Sequence, residues 1–317
     1  MRGLMGGAMR REWRVGTRSS PLALAQAAWV VDQWALGGTP VTLVPIESEG
    51  DRVLDRSLEE IGGRGVFTTT LDDALVEGRV DLVVHSLKDL PTRLAPSLEL
   101  AAVTRREDPR DAAVLREPGH FEGLPAGARV GTSSLRRAAL LRQAYPDLVV
   151  APVRGNLGTR LAKLAAGDYD ALVLAAAGLL RLGRADAISD YLDPSWMIPS
   201  PGQGALAVEV RTDDREAVRL ASSVDDAEVH RATDAERQVL DAMGGNCQMP
   251  LGAYAERDPS RAEWRLWVFA AGGGASPARL AWQGTALEEG VAWVASELVR
   301  WVAAERQEGA EQTGGRP

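Results

Sequence analysis

The chain has 317 residues, 45% of them apolar and 25% charged, with a net charge of −8 at pH 7. Such a length accommodates two or three domains, and the composition is that of an ordinary soluble globular protein. The acidic balance argues against a general nucleic-acid binder, and a single cysteine, Cys247, excludes an internal disulfide.

The opening "MRGLMGGAMRREW" lacks a sustained apolar region, so no secretory signal is expected. The chain reads as cytoplasmic, with a flexible start over 1–12. "WRVGTRSSPLALAQAAWVVDQWAL" predicts a strand, a Ser-rich turn and a helix, with Ser20 as N-cap and Pro21 in the first turn. "VTLVPIESEG" reads as a strand, and "RSLEEIGGRGVFTTTLDDALVEGRV" as a glycine-rich loop followed by a helix. "VDLVVHSLKDLP" is a buried apolar strand ending in a polar turn. Strands alternating with helices imply a mostly parallel sheet.

The pattern then recurs: "RVGTRSS" at 14–20 is echoed by "RVGTSS" at 129–134, and "EGRVDLVVHS" by "AGDYDALVLAAAG". Two α/β lobes of similar construction follow. The longest apolar run, "ALVLAAAGLL" at 171–180, is too short to span a bilayer. "PSPGQGALAVEVR" interrupts the second lobe and starts a new strand. "DAEVHRATDAERQVLDAMGG" is a helix closed by Gly-Gly, three alternating segments follow, and "LEEGVAWVASELVRWVAAER" is a final amphipathic helix. The expected organisation is a lobe of 13–104 plus 200–225, a lobe of 105–199, and an α+β domain of 226–306. Residues 307–317 are expected to be flexible.

Nearly all positive charge is arginine; the lysines are Lys88 and Lys163. In "GTSSLRRAALLRQAYPDLVVAPVRGNLGTRLAKL", Thr132, Ser133 and Ser134 lie at a helix start, where backbone N–H groups and the helix dipole favour anions. Arg136, Arg137 and Arg160 occupy first turns, where a cation opposes that dipole unless something anionic is near. Arg154 ends a strand, and the first lobe adds Arg18. Planar guanidinium forks suit carboxylates or phosphates, and so many of them suit a ligand with several carboxylates. "HSLKDLP" places Lys88 and Asp89 at the carboxyl end of a strand, where α/β sheets bind ligands. Asp89 could stabilise a cation or move protons, or simply cap the turn; Ser86 could bind ligand or finish the turn. His85, His120 and His230 show no spacing that suggests a metal. Cys247, in "GGNCQMPLG", reads as a buried hydrophobe, a nucleophile or a point of covalent attachment.

"TRSSPLALAQA", "GGRGVF", "VHSLKDLP", "GTSSLRR", "VRGNLGTRL", "AAGLLRLG", "PGQGALAVE" and "GGNCQMPLGAYA", in this order, resemble the motifs of the hydroxymethylbilane synthase (porphobilinogen deaminase) family over about residues 13 to 255. The sequence departs from the family pattern at Glu60, Thr70 and Asn246, outside the Cys, Asp and arginine set. The resemblance implies an enzyme that condenses four porphobilinogen molecules into a linear tetrapyrrole with loss of ammonia. It implies two lobes like a type II periplasmic binding protein plus a small α+β C-terminal domain. It also implies a dipyrromethane cofactor joined to Cys247, and Asp89 as the catalytic carboxylate. Ser86, Lys88, Thr132, Ser134, Arg136, Arg137 and Arg160 are then the cofactor's ligands. Arg18, Ser20, Gln26, Arg154, Arg160 and Arg181 surround porphobilinogen and the growing polypyrrole chain, and Arg64 and Phe67 belong to a mobile loop. No metal, nucleic acid or membrane is expected, and the chain reads as a monomer. The rival reading is a two-lobed module that holds an anionic small molecule without chemistry.

Overall fold

The computed structural model describes residues 11–47, 69–244, 249–272 and 276–313, with side chains described as far as Ala304. The first lobe begins with β1 (Trp13–Arg18), α1 (Pro21–Leu36), β2 (Val41–Ile46), α2 (Thr69–Val76), β3 (Leu82–Ser86) and β4 (Leu98–Val103). Ser20 caps α1 as expected: its hydroxyl accepts from Ala23 N at 3.4 Å, and Pro21 occupies the first turn, where its missing N–H leaves nothing unpaired. The second lobe holds β5 (Asp111–Leu115), β6 (Arg129–Gly131), α3 (Leu135–Ala144), β7 (Val149–Ala151), α4 (Leu157–Ala165), β8 (Ala171–Ala175), α5 (Ala176–Arg181) and β9 (Asp190–Tyr191). The chain then returns to the first lobe with β10 (Leu206–Arg211) and α6 (Arg215–Ser222).

The two sheets share one topology. Their strand orders are β2-β1-β3-β10-β4 and β7-β6-β8-β5-β9. In each, the fourth strand in that order runs against the other four. The sheets are therefore mostly parallel, as the alternation of strands and helices predicts. The exceptions, β10 and β5, enter from the opposite lobe instead of through a helical crossover, so nothing forces them parallel. Two segments, 104–110 and 192–205, carry the chain between the sheets.

Each sheet is covered on both faces. In the first lobe, Val15, Leu82, Val84 and Val208 meet Ala27, Val30 and Trp34 of α1 on one side. On the other side Val83 meets Leu71, Ala74 and Leu75 of α2. In the second lobe α3 contributes Leu140 and Leu141 to one face, and α5 contributes Leu179 to the other.

The last unit is α7 (Ala227–Ala242), β11 (Leu251–Asp258), β12 (Glu263–Ala270), β13 (Ala278–Gly284) and α8 (Leu287–Thr313), an antiparallel sheet with a core of its own. Here α8 runs past Arg306, where the sequence reading ends it, to Thr313; the helix formers Gln, Glu and Ala in "QEGAEQ" outweigh one glycine. Glu236 of α7, 0% exposed, ties the units together. It accepts from Arg106 of the first crossing segment at 2.7 and 3.1 Å, from Gly202 N of the second at 2.7 Å, and from Ala255 N of β11 at 2.8 Å.

Candidate active site

Many of the predicted site residues that are described lie at or just after the carboxyl ends of the strands. Arg18 closes β1; Ser86, Lys88 and Asp89 close β3; Thr132 and Ser134 follow β6; Arg154 follows β7; and Arg181 ends the helix after β8. This is where an open α/β sheet forms its ligand crevice. Lys88 and Asp89 sit in a single 3-10 turn, Leu87–Asp89, whose buried Leu87 fixes it to the lobe while Asp89 stays exposed.

A cluster of charge joins the two lobes there. Asp111, 0% exposed at the start of β5, accepts from Arg136 Nη1 at 2.7 Å and from Arg137 Nε at 3.0 Å. Arg136 Nη1 also donates to Ile198 O at 2.5 Å, and Arg137 Nη2 donates to Gln203 Oε1 at 3.2 Å. Burial alone would push the Asp111 carboxyl up. Arg136 and Arg137 more than reverse that and hold it well below the usual carboxylate range. The anion that the first-turn arginines of α3 require is thus supplied partly from within, by a residue the sequence reading did not single out.

The compensation is incomplete. Lys88 and Arg160 lie in the same field, so four cations face two carboxylates, Asp89 and Asp111. Burial draws Lys88 down to about 8, opposed by Asp89 and reinforced by Arg137. Burial also draws Arg160 down, and Arg137 adds to the effect. The Nε of Arg136 is buried with no hydrogen-bond partner among the described residues. A donor in that position costs stability unless an acceptor arrives.

The remaining predicted residues are arranged around this cluster. Gln26 of α1 donates to Ser86 Oγ at 3.0 Å, which links an expected substrate contact to an expected cofactor contact. Thr132 is buried, and its hydroxyl accepts from Ser134 N at 3.3 Å; the hydroxyl of Ser134 in turn caps α3 by accepting from Arg137 N at 3.4 Å. Arg160 Nε is held by Gly155 O at 2.8 Å. Arg181 Nη2 donates to Gly204 O at 2.6 Å, and burial draws its guanidinium down to about 10. Arg64, Phe67 and Cys247 lie outside the described residues. The helix leading to Cys247 is described. Arg237 of α7 donates to Leu90 O at 2.9 Å and Pro91 O at 2.6 Å, and Asp241 accepts from Thr92 Oγ1 at 2.9 Å and Arg93 Nε at 3.1 Å. The end of α7 is therefore clamped onto the segment directly after Asp89.

Two features lie apart from this cluster. A surface cleft of about 840 Å³, lined by Trp29, Trp34, Arg105 and Arg219 among others, contains none of the predicted residues. His85 meets Asp72 and Glu209 within 4.8 Å beneath α2, with its Nε2 3.1 Å from Glu209 Oε2. Sequence spacing could not reveal that grouping, because the three residues come from separate elements.

The sequence matches the family described as "Porphobilinogen deaminase, dipyromethane cofactor binding domain" over residues 13–219. The chain belongs to the porphobilinogen deaminase family. Curated porphobilinogen deaminases similar to it include that of Roseiflexus sp. (strain RS-1), 50% identical over 249 residues, which span 78% of this chain and 82% of that one. Another, from Sorangium cellulosum (strain So ce56), is 45% identical over 286 residues, 88% of this chain and 95% of that one. Among solved structures, the methionine binding protein MetQ is similar at 14% identity and a TM-score of 0.42, covering 71% of this chain and 96% of that one. That likeness is too distant to bear on the assignment.

The described residues fit the cofactor of a porphobilinogen deaminase. A dipyrromethane with acetate and propionate arms brings carboxylates, which are what the surplus cations and the orphaned Arg136 Nε lack.

Proposed function

We propose that this chain condenses four porphobilinogen molecules head to tail into hydroxymethylbilane, releasing ammonia at each addition, with a dipyrromethane held through Cys247 as primer. The observation that carries this reading is the surplus of cations, the buried Arg136 and Arg137 and the half-buried Lys88 and Arg160, beside the exposed Asp89 at the strand ends. Family membership favours it over a binding module without chemistry. The same reading divides the chain into a lobe of 13–104 with 200–225, a lobe of 105–199 and a cysteine-bearing unit of 226–306.

When bound, the dipyrromethane supplies a covalent anchor and a nucleophilic pyrrole carbon. Ser86, Lys88, Thr132, Ser134, Arg136, Arg137 and Arg160 hold its carboxylates. Arg18, Ser20, Gln26, Arg154 and Arg181, again with Arg160, face the incoming substrate and the growing chain. Asp89 offers its carboxylate to pyrrole N–H groups and stabilises the positive charge that develops on the substrate as ammonia leaves. It also accepts and returns protons at its carboxylate oxygens. The clamp of α7 on residues 90–93 holds the described end of that helix to the segment that follows Asp89, which supports this reading.

Intact-protein mass spectrometry tests the reading. The purified chain is expected to exceed its sequence mass by a covalent dipyrrole, and Cys247→Ser to lose that increment together with turnover. A fully active chain of unmodified mass would refute it.

A further inference from the structure

We propose that Gln203 is a positioning residue, whose buried amide links Lys88 of the first lobe to Arg137 of the second and presets both cations for one anionic group of the cofactor. The inference rests on the function proposed above and deepens it.

Gln203 lies in the second crossing segment and is 1% exposed. Its neighbours Gly202 and Gly204 have φ of +72° and +92°, a region that favours glycine. A Cβ on Gly202 would also lie 2.9 Å from Leu87, and one on Gly204 would strike Glu107 O. The backbone is pinned as well: Gln203 N donates to Ser200 O at 2.9 Å, and Gln203 O accepts from Arg106 Nε at 2.8 Å.

The side chain has one consistent orientation. Its Nε2 donates to Pro109 O and to Asp111 Oδ1, each at 2.8 Å, and both are acceptors. Its Oε1 must then face the donors Arg137 Nη2 at 3.2 Å and Lys88 Nζ at 3.5 Å. One neutral oxygen thus stands between a cation from each lobe. It orients both without a formal charge of its own, so it does not cancel the field that recruits an anion. The 3.5 Å contact to Lys88 is at the weak limit of a hydrogen bond. A charge-assisted bond to an arriving carboxylate is stronger and displaces it. The other charged groups that act on Lys88 are Asp89, Asp111, Arg136 and Arg137.

A double-mutant cycle tests this. Full-length chain made by cell-free synthesis is given porphobilinogen, and the rate of covalent mass gain is followed by intact mass spectrometry. Gln203→Met is expected to slow loading at least fivefold and to lower kcat per loaded molecule about tenfold, with KM changed less than twofold. In a Lys88→Gln background, adding Gln203→Met is expected to slow loading less than threefold, because the share of the effect that runs through Lys88 is already lost and only the contact to Arg137 remains. A full fivefold effect in that background would mark a merely structural role and overturn the proposal. So would a Gln203→Met chain that loads like wild type. If Gln203→Met does not fold, Gln203→Asn replaces it; it keeps the amide but shortens its reach, and the same non-additivity is expected. A wild-type chain that gains no mass overturns the functional reading and this inference with it. A wild-type chain that loads, beside a Gln203→Met chain that loads equally well, overturns this inference alone.

Discussion

Replacing Asp111 separates two accounts of why arginines crowd the start of α3. If Asp111 is their internal counter-ion, Asp111→Ala strands two buried guanidiniums. Arg136 keeps Ile198 O at 2.5 Å, and Arg137 keeps Gln203 at 3.2 Å, so the loss concerns charge more than hydrogen-bond count. Removing one partner of a buried ion pair costs about 3–5 kcal/mol. At about 2.1 cal/mol/K per residue, cooperative unfolding of 317 residues carries an entropy of about 0.7 kcal/mol/K. The melting temperature should therefore fall by about 4–7 °C. Asp111→Asn preserves volume and leaves no cavity, and it should fall by a similar amount if charge is the cause. The assay is a thermal melt at pH 7 followed by circular dichroism. Asp111 also has a pH signature. Its folded pKa lies below its unfolded value, so its contribution is present above the unfolded pKa and is lost as pH falls through the folded one. The variants should lose that part of the acid arm. An Asp111→Asn chain melting within 1 °C of wild type would refute the counter-ion argument.

Two further outcomes follow from the site. Asp89 is exposed and on the rim of its turn, so Asp89→Ala should melt within about 1 °C of wild type, as surface changes do, and should retain the covalent dipyrrole while losing most turnover; near-normal turnover would clear Asp89 of its role. Lys88 titrates near 8, so the rate of cofactor loading should fall as pH rises through that value, and Lys88→Arg should flatten the fall. Its effect on stability has the opposite sign: with a folded pKa below the unfolded one, stability from this group rises with pH above about 8, as a melt series at increasing pH would show.

Local signals made much of this legible in the sequence. The Ser-Pro start of α1 and the repeated Gly-Thr-Ser turns carry their own capping chemistry, and period-two alternation marked β11 to β13. Long-range pairing left no such trace. Asp111 stands in "EDPRDAAV", where nothing shows that it will meet Arg136 and Arg137. Gln203 gave a weak signal, a polar residue between two glycines, and in the sequence it read only as a break before β10. The reversed strands β5 and β10 were hidden for the same reason: their direction depends on which lobe the chain comes from, and a single strand's side-chain pattern does not encode that.

The clamp on α7 bears on how a covalently held chain could grow. Arg237 and Asp241 grip residues 90–93, four residues or fewer beyond Asp89, whereas Glu236, one residue earlier on the helix, grips both crossing segments. The end of α7 that leads to Cys247 is thus bonded to the first lobe, beside Asp89. Arg136, Arg137 and Arg160 belong to the second lobe, and among the described residues the hydrogen bond that links Lys88 toward that set is the long contact to Gln203. A shift of the second lobe about the crossing segments would change the spacing between the arginines and Asp89 while the α7 clamp kept its register. The buried contacts of Glu236 resist such a shift, since separating them would leave a carboxylate unpaired in the core, a loss of about 3–5 kcal/mol. A shift that kept the bonds of Glu236 intact would have to break the 3.5 Å contact between Lys88 and Gln203, the weaker of the two links.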